Sequence, residues 1–322
     1  MELYAVVMVR PFFIVGADRS GTTMLRLMLN EHSDVHVPRE TWFLTNLMDA
    51  LPLNTPLDES QLGVAYKIIT EHERWCDLEI GNSQLKLLLE QIEEPDLSDL
   101  VCAIYKILLL RTGKSRWGDK TPDYVKEINR LNQLFPGAQF IHVIRDGRDV
   151  CLSLLKKRWR GTVVPTIARY WSDCVSAGIA AGRNLPCNQY LEIFYEDLTT
   201  ETEITLRKIC DFLDIDFQEN MLKFYEHAAD NIADWEKEHH QKTTRAPQVE
   251  DIYRWKIEAS PFQVLAVEAI AGSTMEQVGQ ERKFKGIGKV LPWSFGAIEA
   301  SFWHVLSLRR KIRNNTSKLQ KH

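Results

Sequence analysis

The chain has 322 residues, 44% of them apolar and 26% charged, which is enough to bury a large core and excludes collagen-like, disordered and disulfide-scaffold classes. Forty Lys and Arg stand against 44 Asp and Glu, a formal charge of -4, so nothing in the overall balance points to a nucleic-acid binder or an acidic tail. The six cysteines (Cys76, Cys102, Cys151, Cys174, Cys187, Cys210) are scattered, with no C-x-x-C pair and no Cys/His cluster at zinc spacing, so reduced thiols and no metal are expected. The apolar stretch 5–15 is broken by Arg10 and Pro11, and no run reaches the roughly 18 residues of a membrane span. These features predict a cytoplasmic protein.

In chain order, PFFIVG (11–16) reads as a short strand closed by glycine, and 21–30 continues with Met24, Leu25, Met28 and Leu29 at helical spacing. From Trp42 to about 115 the pattern is helical and irregular, with amphipathic pieces near 61–74, 83–93 and 97–111, and predicts a helical insertion. A helix over 123–135 ends at Pro136-Gly137, and QFIHVI (139–144) reads as a strand buried on both faces. A helix over 148–158 follows, then a strand over 189–195. Thr200-x-x-Glu203 has the spacing of a capping box for a helix ending near Leu213. Helices near 217–228 and 261–278 bracket a polar stretch, 230–251. Strands alternating with helices predict an α/β fold in three layers, α/β/α, with a mostly parallel central sheet. One domain over 1–281 is expected, because sheet elements flank the helical insertion on both sides.

The segment Gly16-Ala-Asp-Arg-Ser-Gly21-Thr22-Thr23 carries the glycine spacing of the phosphate-binding loop G-x-x-x-x-G-K-[ST], with Thr22 in the lysine position. Backbone N–H groups of a glycine-rich turn leading into a helix still make an anion cradle. The missing lysine is the one that reaches the β- and γ-phosphates of a triphosphate, so the expected ligand is an anionic nucleotide other than ATP or GTP. Arg19 can supply positive charge from within the loop. A second anion site is expected at RDGRDVCLS (145–153), with Arg145 at the carboxyl end of a predicted strand and Ser153 two turns into the next helix. Taken alone, that segment reads equally as a solvated Asp-Gly turn.

Residues 11–29 and 140–155 together resemble the two signatures of the sulfotransferases, which hold 3'-phosphoadenosine 5'-phosphosulfate (PAPS). PRETWFL (38–44) and WGDKTP (117–122) resemble the branch that includes bacterial and tyrosylprotein sulfotransferases. The resemblance implies PAPS as co-substrate, its desulfated product PAP, and no metal. It implies that Arg19, Ser20, Gly21, Thr22 and Thr23 wrap the 5'-phosphosulfate, and that Arg145 and Ser153 bind the 3'-phosphate. Tyr195 and Arg254 match further nucleotide-contacting positions. Glu40 falls where the tyrosylprotein branch has its general base, and Lys120 where it has a lysine on the transferring group. Without the resemblance, Glu40 reads as a helix N-terminal acid after Pro38 and Lys120 as a solvated loop lysine. No K-x-H base segment is present, so Glu40 and not His142 is the expected base. Partial burial raising the Glu40 pKa would help it act.

Sulfuryl transfer to a hydroxyl or amine is the expected reaction. A P-loop kinase and a catalytically silent nucleotide-binding interaction protein are the alternatives; the absent loop lysine weighs against the first, and Glu40 with Lys120 against the second. The acceptor pocket is expected from 42–115 and 230–251, with Trp42, Phe43, Trp75, Trp159, Trp171 and Trp235 as candidate lining, and a small metabolite or glycan as acceptor. His32 and His36 lie nearby without a third ligand, which favours a surface or substrate contact over a metal.

The charge divides unevenly. Residues 282–322 hold ten Lys or Arg and one acid, Glu299, among apolar residues such as Trp293, Phe302 and Trp303. This basic amphipathic tail is expected to pack on the body, with a membrane-surface or oligomer contact as the alternative.

Overall fold

A computed structural model describes residues 10–158, 160–228 and 244–284. The basic tail beyond 284, Trp159, Trp235 and most of the 230–251 stretch lie outside the described residues. The chain forms two compact units, one of residues 1–145 with 174–252 and the other of 146–173 with 253–322.

The first unit holds a five-stranded sheet. Its strands are β1 (Phe12–Gly16), β2 (Val35–His36), β3 (Arg116–Lys120), β4 (Gln139–Ile144) and β5 (Tyr190–Phe194), in the order β2-β3-β1-β4-β5. Every pairing is parallel. The order reverses on either side of β1, which places a switch point at its carboxyl end, where open α/β sheets bind ligands. Every residue of β1 and β4 is buried, as strands covered on both faces require.

Successive β1 side chains serve opposite layers. Phe12 and Ile14 join a cluster with Met24, Leu25 and Met28 of helix α1 (Thr22–Asn30), and with Leu206, Ile209 and Leu213 farther along the chain. Phe13 stacks on Phe140 at 5.4 Å between ring centroids and meets Trp117 and Phe135 on the other face. Helices on both faces make the three-layer α/β fold. The helical insertion consists of α2 (Phe43–Ala50), α3 (Glu59–Thr70), α4 (Asn82–Leu89) and α5 (Leu97–Thr112).

Several expectations are corrected. Lys120 is no solvated loop lysine: it ends the strand RWGDK (116–120), in which Trp117, Asp119 and Lys120 are all buried. The helix expected over 123–135 is a 3-10 turn, Pro122–Lys126, followed by α6 (Ile128–Leu134). A nineteen-residue helix, Val164–Gly182, went unread in the sequence; it passes from the second unit into the first. Thr200 is no cap: it ends a short helix, Tyr195–Thr200, and its hydroxyl donates to the Glu196 carbonyl. The segment near 217–228 is a 3-10 helix, Glu219–Glu226, with a break at Lys223.

The second unit carries α7 (Gly147–Lys157) and a C-terminal helix, Pro261–Gln277, opened by a capping box between Ser260 and Gln263. Leu152, Trp255 and Val264 form its apolar core.

Candidate active site

Lys120 ends β3, the loop of Gly16 and Gly21 follows β1, Arg145 follows β4 and Tyr195 follows β5, so four adjacent parallel strands deliver these residues to one edge of the sheet. The loop needs both of its glycines. Gly16 has φ 155°, and a Cβ there would come within 2.4 Å of the Val143 carbonyl oxygen. Gly21 has φ 100°, and its Cβ would meet the Tyr195 ring at 2.3 Å. Arg19 also takes a left-handed φ, 69°, which turns the chain between the glycines. Helix α1 then starts at Thr22 with no side chain capping its N-terminus, so its first N–H groups remain available to an anion.

Ser20 is buried, and its hydroxyl has no hydrogen-bond partner among the described residues. Arg145 donates to the Arg19 carbonyl (3.2 Å) and to the Asp251 carbonyl (2.8 Å), and its guanidinium lies 4.3 Å from the Tyr195 ring centroid. Burial, and next the neighbouring Arg145 charge, hold the Arg19 guanidinium below its ordinary pKa. Asp18, Tyr195 and Glu40 act on Arg19 in the opposite sense.

Lys120 links the acid to the loop. Its ammonium is buried, donates to Thr23 Oγ1 at 3.2 Å and pairs with Glu40 Oε1. The indole N–H of Trp42 donates to Glu40 Oε2 at 2.7 Å. Burial pushes the Glu40 carboxyl up, but the Lys120 charge, hydrogen bonds from Lys120 and Trp42, and the Arg74 charge outweigh it and hold the carboxyl below the ordinary carboxylate value. The upward shift that would help Glu40 act as a base is thus outweighed here, because its cationic partner is within bonding distance.

Beneath this pair lies a polar knot that sequence reading missed. Asp119, fully buried, accepts from Thr41 Oγ1 (2.7 Å), Thr121 Oγ1 (2.9 Å) and the Tyr105 hydroxyl. Thr41 also contacts the Tyr124 hydroxyl at 3.0 Å, and its N–H donates to Thr121 Oγ1 at 3.3 Å. The knot thus joins the residue after Glu40 to the residue after Lys120. The visible signal was an acid directly before the lysine in WGDKTP.

A model described as the sulfotransferase family matches residues 11–219. The chain belongs to the sulfotransferase family. It is similar to the protein-tyrosine sulfotransferase of Drosophila melanogaster, 24% identical over 217 residues, covering 65% of this chain and 39% of that one. The fold is similar to the sulfotransferase domain of the Curacin biosynthetic pathway (21% identity, TM-score 0.58, covering 84% of this chain and 97% of that one). It is likewise similar to the sulfotransferase domain of the Synechococcus PCC 7002 olefin synthase (24% identity, TM-score 0.56, 82% and 94%).

Not all candidates of this sulfotransferase lie in the first unit. Ser153 is half-buried on α7, and Arg254 precedes the short helix Trp255–Glu258 and pairs with Glu258; both belong to the second unit. Trp75 and Trp171 are buried core residues, as is Phe43, whereas Trp42 is half-buried. His32 is no surface residue: it is buried, with Nε2 on the Asp216 carbonyl (2.8 Å) and Nδ1 accepting from the Asp34 N–H. His142 is buried in β4 against Tyr190. Among the described residues no cluster of three or more His, Cys, Asp or Glu could hold a metal, and no helix is long and apolar enough to cross a membrane.

Proposed function

We propose that this sulfotransferase moves the sulfuryl group of PAPS to a hydroxyl or amine of a small metabolite or glycan, with Glu40 as general base. The observation that carries the reading is Lys120, whose ammonium touches both Glu40 and Thr23 and so sets a base candidate one side chain away from an anion cradle. The buried, unpartnered Ser20 hydroxyl, the two required glycines and the adjacent Arg19 and Arg145 fit a phosphosulfate at the loop.

PAPS supplies a sulfuryl group on a stable phosphate leaving group. The acceptor oxygen or nitrogen forms its bond to sulfur as the bond from sulfur to the 5'-phosphate oxygen breaks, that electron pair leaving with the phosphate of PAP. The acceptor proton passes to Glu40. Arg19, Lys120 and the α1 N-terminus stabilise charge on the equatorial and leaving oxygens. Oxygens of the transferring group near Thr23 also compete with Glu40 for the Lys120 ammonium; loosening that pair returns basicity to the carboxylate when the donor is in place.

The test is mass spectrometry of an acceptor panel incubated with PAPS, looking for the sulfate mass increment. Its disappearance in Glu40→Gln supports the assignment; retention of wild-type transfer by that variant removes Glu40 as base. ATP binding in preference to PAP would favour a kinase.

A further inference from the structure

We infer that Trp42 is a positioning residue for Glu40, its indole N–H holding one carboxylate oxygen so that the acid presents a fixed face to the acceptor. The inference rests on the reading of Glu40 as base. A glutamate carboxylate rotates broadly about its last bond when free. Here Lys120 takes Oε1 and Trp42 takes Oε2, so two donors on different oxygens fix the plane and leave the other lone pairs for an incoming hydroxyl.

The backbone accepts strain to achieve this. Trp42 holds φ 57°, a left-handed conformation that residues with a Cβ avoid. It precedes α2 as the N-cap residue, yet its side chain caps nothing. Both flanks are pinned: Thr41 by Asp119 and Thr121, and the Leu44 N–H by the Tyr124 hydroxyl at 3.1 Å. With the chain clamped on both sides, the half-buried indole is directed back to the acid two residues earlier. Among the described residues, the charged groups acting on Glu40 include Lys120 from β3, Arg74 from the turn after α3 and Arg19 from the loop, and Trp42 adds a neutral donor to its carboxylate.

The full-length protein labelled with 13C at the glutamate carboxyl carbons reports the Glu40 titration by NMR, with Glu40→Gln identifying the resonance. Loss of the donor in Trp42→Phe is expected to move the Glu40 midpoint to higher pH by about one pH unit, since hydrogen bonds to charged groups are the stronger ones. Replacing Trp42 by 3-benzothienylalanine, which keeps the bicyclic shape and exchanges the N–H for sulfur, is expected to do the same, and it keeps the test decisive if the phenylalanine variant fails to fold. A midpoint unchanged in the benzothienyl protein overturns the inference. PAP release from PAPS with water as acceptor is followed in parallel. A shifted midpoint together with wild-type release by Glu40→Gln defeats the base assignment, and the positioning role with it, while leaving the hydrogen bond intact.

Discussion

Arg148, in the second unit, is a buried cation with every direction answered. Its guanidinium pairs with Asp146 (2.7 Å) and with Glu268 (2.8 Å), donates to the Glu281 carbonyl and lies 3.7 Å from the Trp255 ring centroid. Glu268, itself buried, also accepts the N–H groups of Lys283 and Phe284. The sheet edge of the first unit is built differently: the Arg145 charge acts on Arg19, the Ser20 hydroxyl has no partner among the described residues, and Lys120 serves both Glu40 and Thr23. The second arginine of RDGRD thus belongs to a saturated structural knot, whereas the first donates to the backbone carbonyls of Asp251 and of Arg19, the loop residue next to Ser20. Saturation marks structure here, and incomplete satisfaction marks the place for a ligand.

The largest test of that contrast is Glu268→Ala. It leaves Arg148 buried beside one fewer carboxylate and two N–H groups without an acceptor, and is expected to cost about 3–5 kcal/mol, read by thermal or urea denaturation. A loss below about 1 kcal/mol would show that the knot is not structural.

Next comes Lys120→Met, expected to lower sulfate transfer from PAPS at least about 100-fold. It should also reverse a pH dependence. In the native protein the Glu40 carboxyl is held low, so its stabilising contribution is present above the ordinary carboxylate value and is lost as pH falls through the depressed one. Without Lys120, burial dominates, the carboxyl moves above its ordinary value, and its contribution to stability falls as pH rises through that window. Urea denaturation of both proteins between acidic and neutral pH decides the sign; parallel curves would mean that Lys120 does not control Glu40.

A smaller effect separates neutral burial from both cases. Burial holds His142 down to about 3, and burial with Lys114, Arg26 and Arg111 holds His36 down to about 4, against an ordinary 6.5. The unfolded chain therefore binds more protons, and stability should decline as pH falls from the ordinary value toward these lowered ones. His142→Gln should flatten that decline; an unaltered slope would place its source elsewhere.

The smallest expected effect is the most pointed. Ser20→Ala removes a buried hydroxyl that has no partner among the described residues, so stability without ligand should stay within about 0.5 kcal/mol or rise, while PAP affinity should weaken about tenfold by calorimetry. Loss of stability with unchanged affinity would place Ser20 among the structural residues.

Much of this arrangement was legible beforehand. The spacing of Gly16 and Gly21, apolar runs around the loop, and Arg145 at a strand end depend on local periodicity and turn chemistry, which short stretches of sequence carry. Strand β3 was not legible, because Asp119 and Lys120 look solvated until Thr41, Thr121, Tyr105 and Glu40 arrive from elsewhere to satisfy them. The Thr200 cap failed for the related reason that a short helix formed just ahead of it.

By itself, then, the sequence determined the mostly parallel α/β architecture, strands β1, β4 and β5, the glycine-loop spacing and the family signatures. Tertiary structure alone decided that Glu40 and Lys120, eighty residues apart, touch, that Trp42 holds the second carboxylate oxygen, and that the acid is held below its ordinary value. The physical reason is that ionisation is set by which charges and donors lie within a few ångströms, and spacing along the chain does not fix distance in space.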